Sequence, residues 1–182
     1  MAKKDFPTHE LLRQLLDYDP ETGMLKWRPR PVEMFATKRA FSTWNSRFAG
    51  KEAFTAKDSL HGYRVGNVNY KLCMAHRVIW AIVYGEYPES DVDHINGNRG
   101  DNRLINLRAA TRSQNNCNSG TRKDNTSGYR GVSFHSQYGK WEARIYADKK
   151  KHPLGFFETA EEAAEAYRLA SIRLHGEFSR LA

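Results

Sequence analysis

Apolar positions divide the chain into stretches of different period. Leu11, Leu12, Leu15 and Leu16 recur at helical spacing and predict a short helix over residues 8–17. Asp19-Pro20-Glu21-Thr22-Gly23 predicts a turn, and Met24-Leu25-Lys26-Trp27-Arg28 a strand. From Pro29 to Leu60 the pattern is weak, with Trp44, Phe48 and Phe54 as the expected core anchors. Residues 62–68 and 70–74 each alternate, which predicts a hairpin turning near Asn69. Residues 75–85 are mostly apolar and predict a buried helix ended by Gly85. A turn-rich stretch crowded with Asp, Asn and Gly runs from Glu86 to Arg103, and a second short strand is expected around Asn106-Leu107. Thr111 and Gln114 have the spacing of a capping box, in which hydroxyl and carboxamide each satisfy a backbone amide of the other. Residues 118–127 are polar, glycine-containing and basic, as in a linker, and include Arg122 and Lys123. There is no internal repeat.

The last 55 residues are patterned most clearly. Residues 129–135 predict a strand and Gln137-Tyr138-Gly139 a turn. Along residues 140–146, strand alternation places Trp141, Ala143 and Ile145 on one face and Lys140, Glu142, Arg144 and Tyr146 on the other. A basic turn at 148–151 leads to a third strand over 152–157. Thr159 and Glu162 form a second capping-box pattern, opening a helix that reaches about Leu174 and is closed by Gly176. Its Ala160, Ala163, Ala164, Tyr167, Ala170 and Leu174 make a face small enough to lie close on a sheet. The expected fold is α+β: a small β-rich region over 1–74, a strand–strand–helix core over 75–118, a linker over 119–127, and a three-stranded antiparallel sheet packed on one helix over 128–182.

Charge narrows the partner. The 182 residues suffice for one ordinary domain or two to three very small ones, and 29 Lys and Arg against 21 Asp and Glu leave a net charge of +8. With a pI near 9.5 and a mean hydropathy of -0.75, the chain favours a polyanion whose condensed counterions it can release. Nucleic acid is such a polyanion. No run approaches the ~20 apolar residues that span a bilayer, so no membrane partner is expected. Met1-Ala2-Lys3-Lys4-Asp5 lacks the apolar core of a signal peptide, which predicts a cytoplasmic location. Cys73 and Cys117 form no Cys-x-x-Cys pair, so no structural zinc site is expected, and the reducing compartment predicts no disulfide.

The chemically dense segment is Val92-Asp93-His94-Ile95-Asn96-Gly97-Asn98, followed by Asp101-Asn102-Arg103, Ile105-Asn106-Leu107-Arg108 and Ser113-Gln114-Asn115-Asn116. It sets a carboxylate beside an imidazole at a strand end, then an Asn-Gly turn, a short strand and a helix presenting carboxamides. Phosphodiester hydrolysis needs a base for water and a divalent metal for the phosphate charge, and these residue types supply that minimum. From about Ala75 to Asn118 the segment resembles the HNH nuclease motif, a ββα-metal fold, in the form found in homing endonucleases of phages. Upstream, Gly62-Tyr63-Arg64, Ala75-His76-Arg77 and Trp80 are also similar to that group. The resemblance implies His94 as general base, Asp93 and Asn115 as ligands of a single Mg²⁺ (or Mn²⁺), and Asn106 as the brace of the loop between the strands. Asn116 competes with Asn115 for the ligand role, and Asn98 and Asn102 with Asn106 for the middle one. His76 is expected to be structural or to touch the DNA backbone. His9, His61, His152 and His175 show no metal-ligand spacing. A monomer with one such centre is expected to nick, in the host cytoplasm if the chain is phage-encoded.

Tyr129-Arg130-Gly131-Val132, Gly139-Lys140-Trp141, Leu154-Gly155-Phe156, Thr159 to Ala163 and Ala166-Tyr167 resemble the Apetala-type DNA-binding domain of plant ethylene-response factors, which also occurs fused to phage HNH endonucleases. That resemblance implies that the exposed sheet face reads DNA, through Arg130, Lys140, Arg144 and Tyr146, with Lys151 and His135 as further contacts. Ser133, Tyr138 and Pro153 stand where the plant domains carry Arg or Trp, so a base specificity that is lower or simply different is expected. The alternative to the nuclease is a non-catalytic DNA-binding regulator that keeps the HNH segment as a scaffold.

Overall fold

Thr8 opens the first helix, α1 (His9–Leu15), by accepting a hydrogen bond from the Leu11 amide at 3.3 Å. The helix is shorter than its leucine spacing predicts. Leu16 takes extended backbone and begins β1 (Leu16–Asp19), which pairs antiparallel with β2 (Met24–Trp27) across a turn gathered by the Asp19 carboxylate. Leu12 and Leu15 are buried from the helix and Leu16 from the strand, so both elements feed one core. In this computed structural model, which describes residues 6–121 and 124–180, the chain divides into two units, 1–110 and 111–182. Arg122 and Lys123 of the expected linker lie outside the described residues.

The weakly patterned stretch of the first unit holds a helix, α2 (Lys38–Phe48), capped by Thr37. Phe41, Trp44 and Phe48 recur at helical spacing, but Lys, Arg, Ser and Asn between them dilute the signal. Trp44 and Phe48 are half-buried in a chain of rings, with Trp44 5.8 Å from Trp27 and 5.4 Å from Phe48, whereas Phe54 is fully in the core. The short β3 (Glu52–Ala53) joins β1 and β2 as a third strand. A second sheet is built from β4 (Ala56–Lys57), β5 (Arg64–Val68) and β6 (Lys71–Met74). Its hairpin turns at Asn69 and Tyr70, both at positive φ.

β6 runs directly into α3 (Ala75–Tyr84), closed by the left-handed Gly85. Then β7 (Asp91–His94) and β8 (Leu107–Ala110) form a two-stranded antiparallel ribbon. One apolar cluster joins Leu12, Leu16, Leu25, Phe54 and Val68 to Val78, Ile79, Val92 and Leu107. The boundary expected at 74/75 therefore does not divide the core; the strands before it and the helix after it bury their apolar sides together.

In the second unit, β9 (Val132–His135), β10 (Lys140–Ala147) and β11 (Lys150–Phe157) form an antiparallel sheet with β10 central. It is covered by α5 (Ala160–His175), whose capping box at Thr159 and Glu162 is formed. Ala143 and Ala163 are fully buried between sheet and helix, where small side chains permit close approach. The α+β class and the C-terminal sheet-and-helix follow the pattern of the sequence. The unit also includes α4 (Arg112–Cys117), which packs on the single turn Gly176–Phe178 rather than belonging to the compact unit that precedes it. Part of the expected linker is ordered by local bonds: the Ser127 hydroxyl reaches the carbonyls of Tyr129 and Val132 at 3.0 and 2.9 Å.

Candidate active site

The β7–β8 register places Asp93 opposite Arg108 and His94 opposite Leu107. Cross-strand neighbours of opposite charge attract, and here Arg108 donates from Nε at 2.9 Å and from Nη2 at 2.7 Å to Oδ2 of Asp93. Both side chains are largely out of water, 12% and 5% exposed, so the pair is an interior one whose loss is costly.

His94 is buried, and its Nε2 lies 3.1 Å from Oδ1 of Asn102. That contact fixes the orientation of the ring within the loop. Burial pulls the His94 pKa below its ordinary value; the Asn102 bond and the carboxylates of Asp93 and Asp101 oppose this. The imidazole is therefore neutral at pH 7, the form a general base needs.

The loop between the strands is held by asparagines. Asn106 accepts from the Asn96 amide at 3.0 Å and donates to the Asp101 carbonyl at 2.8 Å, spanning the loop from end to end. Asn96 donates to Asp101 and accepts from the Asn98 amide, both at 2.8 Å, and Asn98 accepts from Gly100. Asp101 is held down to about 2, first by its hydrogen bond from Arg103. Of the three candidates for the middle position, Asn106 braces the loop, Asn102 meets the histidine, and Asn98 closes the turn.

Asn102 is itself fixed from far away in sequence. Its carbonyl accepts from the Tyr18 hydroxyl at 2.9 Å, and the β1–β2 turn lies against it. Gly23 makes this approach possible: a Cβ there would stand 2.5 Å from the Arg103 nitrogen and 2.6 Å from the Asn102 carbonyl carbon. The other side of His94 is lined by rings, His76 at 5.1 Å and Tyr63 at 5.8 Å, with the Arg99 guanidinium 5.0 Å over Tyr63. His76 is buried, its Nδ1 has no hydrogen-bond partner, and desolvation depresses its pKa to about 3. Sequence reasoning left Arg108, Tyr63 and Arg99 unassigned. The Asp93–Arg108 spacing across a short ribbon was the available signal; the others come together only through the fold.

Asp93, His94 and Asn106 thus share one strand–loop–strand. Asn115 and Asn116 lie on α4 of the second unit, Asn115 half-buried and Asn116 exposed, behind a capping box in which Gln114 Oε1 accepts from the Thr111 amide at 2.8 Å. Among the described residues no group of three or more His, Cys, Asp and Glu side chains gathers to hold a metal. The donors present, a carboxylate and carboxamides, are hard oxygen ligands. That chemistry fits an ion such as Mg²⁺, which keeps several waters and accepts phosphate oxygens.

In the second unit, register puts His135 opposite Lys140, and Tyr146 opposite Lys151. Lys140, Arg144, Tyr146, Lys151 and His135 stand on the sheet face away from α5. Glutamates temper the cations: Lys140 meets Glu158 at 2.7 Å, and Glu142 takes Arg144 at 3.3 Å and Lys151 at 3.6 Å. His135 stacks on Tyr138 with centroids 4.6 Å apart, and Phe156 meets both rings edge-on. Arg130 departs from its expected place on this face. It precedes β9, next to Gly131 at positive φ, and its guanidinium donates to the carbonyls of Asn116, Cys117 and Ser119.

Among the described residues no helix is long and apolar enough to cross a membrane. Residues 73–117 match the HNH endonuclease family. Protein 3.8 of Escherichia phage T7 is 35% identical over 112 residues, which cover 61% of this chain and 92% of that protein. The AP2-like ethylene-responsive transcription factor ANT of Arabidopsis thaliana is 54% identical over 50 residues, 26% of this chain and 9% of its own length. APETALA2-like protein 2 of Oryza sativa subsp. indica is 43% identical over 54 residues, 30% of this chain and 12% of its own length. The chain thus spans about a tenth of the plant proteins it matches, and no solved structure matches it. With an HNH endonuclease domain over residues 73–117, the chain belongs to the same family as Protein 3.8 of phage T7.

Proposed function

We propose that this chain is a site-directed DNA endonuclease of the homing type that nicks duplex DNA as a monomer, with a histidine base and a single divalent metal. The observation that carries the reading is the His94–Asn102 hydrogen bond, which holds the buried imidazole in a set orientation on the residue after Asp93. His94 takes a proton from water as the water oxygen attacks phosphorus; the bond to the 3′ oxygen breaks and that oxygen takes a proton from solvent, leaving a 5′ phosphate and a 3′ hydroxyl. Asn106 keeps the loop, and with it His94, in place. Asp93 and Asn115 (or Asn116) would hold Mg²⁺ or Mn²⁺, which neutralises charge on the scissile phosphate and the leaving oxygen. Lys140, Arg144, Tyr146, Lys151 and His135 present a twisted sheet to duplex DNA, as strand-based readers do. Residues 1–74 brace the centre through Tyr18 and Gly23 and extend the footprint. The expected site of action is the host cytoplasm.

One observation favours a second reading. Arg108 already neutralises Asp93, as it would in a non-catalytic regulator that kept the ribbon as a scaffold. A supercoiled-plasmid assay separates the two. Nicking with Mg²⁺ that EDTA abolishes and His94→Ala removes supports the enzyme; DNA binding without nicking under any divalent ion supports the regulator.

A further inference from the structure

α4 is six residues long, too short to hold itself in water, yet it carries Asn115 and Asn116. Its first turn is closed by its own capping box. Its last turn is closed by a residue outside it: Arg130 donates from Nη1 to the carbonyls of Cys117 and Ser119, both at 2.6 Å, and from Nη2 to that of Asn116 at 2.7 Å. The Cys117 carbonyl is among those a helix end leaves without an intrahelical partner, and those of Asn116 and Ser119 flank it; a cation at that end also meets the negative pole of the helix. A planar guanidinium can serve three acceptors in fixed directions, which an ammonium on a flexible stem cannot do equally well.

The anchor is rigidly seated. Beside it, Gly131 lies so close to α5 that a Cβ would fall 2.2 Å from the Tyr167 ring. At the same end of α4, Cys117 Sγ is 3.4 Å from His175 Nδ1, near the end of α5. The helix is thus fastened to the sheet-and-helix module at its final turn, by a side chain that the resemblance to the plant domain assigns to DNA.

We infer that Arg130 is a positioning residue of the nuclease rather than a DNA contact: it sets the pose of α4, and with it that of the metal ligand α4 carries. The inference rests on the reading in which α4 carries a metal ligand. The module then does more than deliver the enzyme to DNA, because it also shapes the helix on which that ligand sits.

The test uses the full chain with Arg130→Lys and Arg130→Ala. Three quantities are measured: Mn²⁺ binding without DNA by electron paramagnetic resonance, duplex DNA affinity in Ca²⁺ by gel shift, and the Mg²⁺ concentration for half-maximal nicking. Arg130→Ala is expected to weaken Mn²⁺ binding about tenfold or more, as loss of a supporting contact does, and to raise the Mg²⁺ requirement in parallel. DNA affinity stays within about twofold, and Arg130→Lys falls between. Should Arg130→Ala not fold, Arg130→Lys is read alone, with a several-fold weaker Mn²⁺ affinity at unchanged DNA affinity as the expected result. Reduced DNA affinity with unchanged Mn²⁺ binding overturns the inference alone, as does unchanged Mn²⁺ binding in every folded variant. An unsubstituted chain that neither binds Mn²⁺ nor nicks overturns the nuclease reading, and this inference with it.

Discussion

The β7–β8 ribbon and the C-terminal sheet both present polar side chains from antiparallel strands, but they treat them in opposite ways. Around the ribbon Asp93, His94, Asn102 and Asn106 are 3–6% exposed, and each is met by a further polar group. On the sheet the cations stand half in water and share two glutamates. A buried polar network has no water to substitute for a lost partner, so it fails abruptly when one member is removed. An exposed charge is replaced by solvent and ions, so it fails by degrees.

The largest expected effect is at the ribbon. His94→Ala should lower single-turnover nicking roughly 10²–10⁴-fold, the usual share of a general base, with duplex affinity unchanged by gel shift. Unchanged nicking would remove His94 from the base role. Next, Arg108→Ala should cost about 3–5 kcal/mol in urea unfolding, because it strands an interior carboxylate. The exposed analogue Arg144→Ala should cost under about 1 kcal/mol. Equal costs for the two would break the comparison.

Third comes acid sensitivity. His76 is depressed to about 3, below its unfolded value near 6.5, by burial first. Unfolded chains therefore take up a proton that folded ones refuse. Stability is unaffected above pH 6.5 and falls as pH drops through the window from 6.5 to 3, by about 2 kcal/mol at pH 5. Denaturation at pH 7.5 and pH 5 should show that difference, and His76→Gln should remove it; an unaltered pH profile in that variant would rule out His76 as the source.

The smallest effects belong to the sheet. Lys140→Ala, Arg144→Ala and Lys151→Ala should each lower the salt slope of DNA binding by about one and weaken affinity modestly. Glu142→Gln should strengthen binding, since it releases Arg144 and Lys151 for phosphate. Salt slopes that do not move with these changes would take the face out of DNA contact.

How legible each region was follows from the same contrast. Alternation along residues 140–146 states which side chains face α5, because a strand with one covered face must alternate. The capping boxes at Thr111 and Thr159 were equally plain, being local by nature. The helix at 38–48 was missed because its aromatic positions are separated by charged and polar residues, and the strand after Leu15 because its partner lies across a turn. Arg130 was misplaced for a related reason. A residue one step outside a strand has no face assigned by period, and here the left-handed Gly131 turns it away.

By itself the sequence determined the order of elements from the hairpin at 62–74 onward, the α+β class, the basic character, and which residue types could hydrolyse a phosphodiester, since all of these depend on local period and composition. Tertiary structure alone decided which asparagine meets His94, that Tyr18 and Gly23 hold it there, that Arg108 shares Asp93, and that α4 is closed by Arg130. Those choices join residues far apart along the chain, and satisfying buried polar groups, which no periodicity encodes, selects among them.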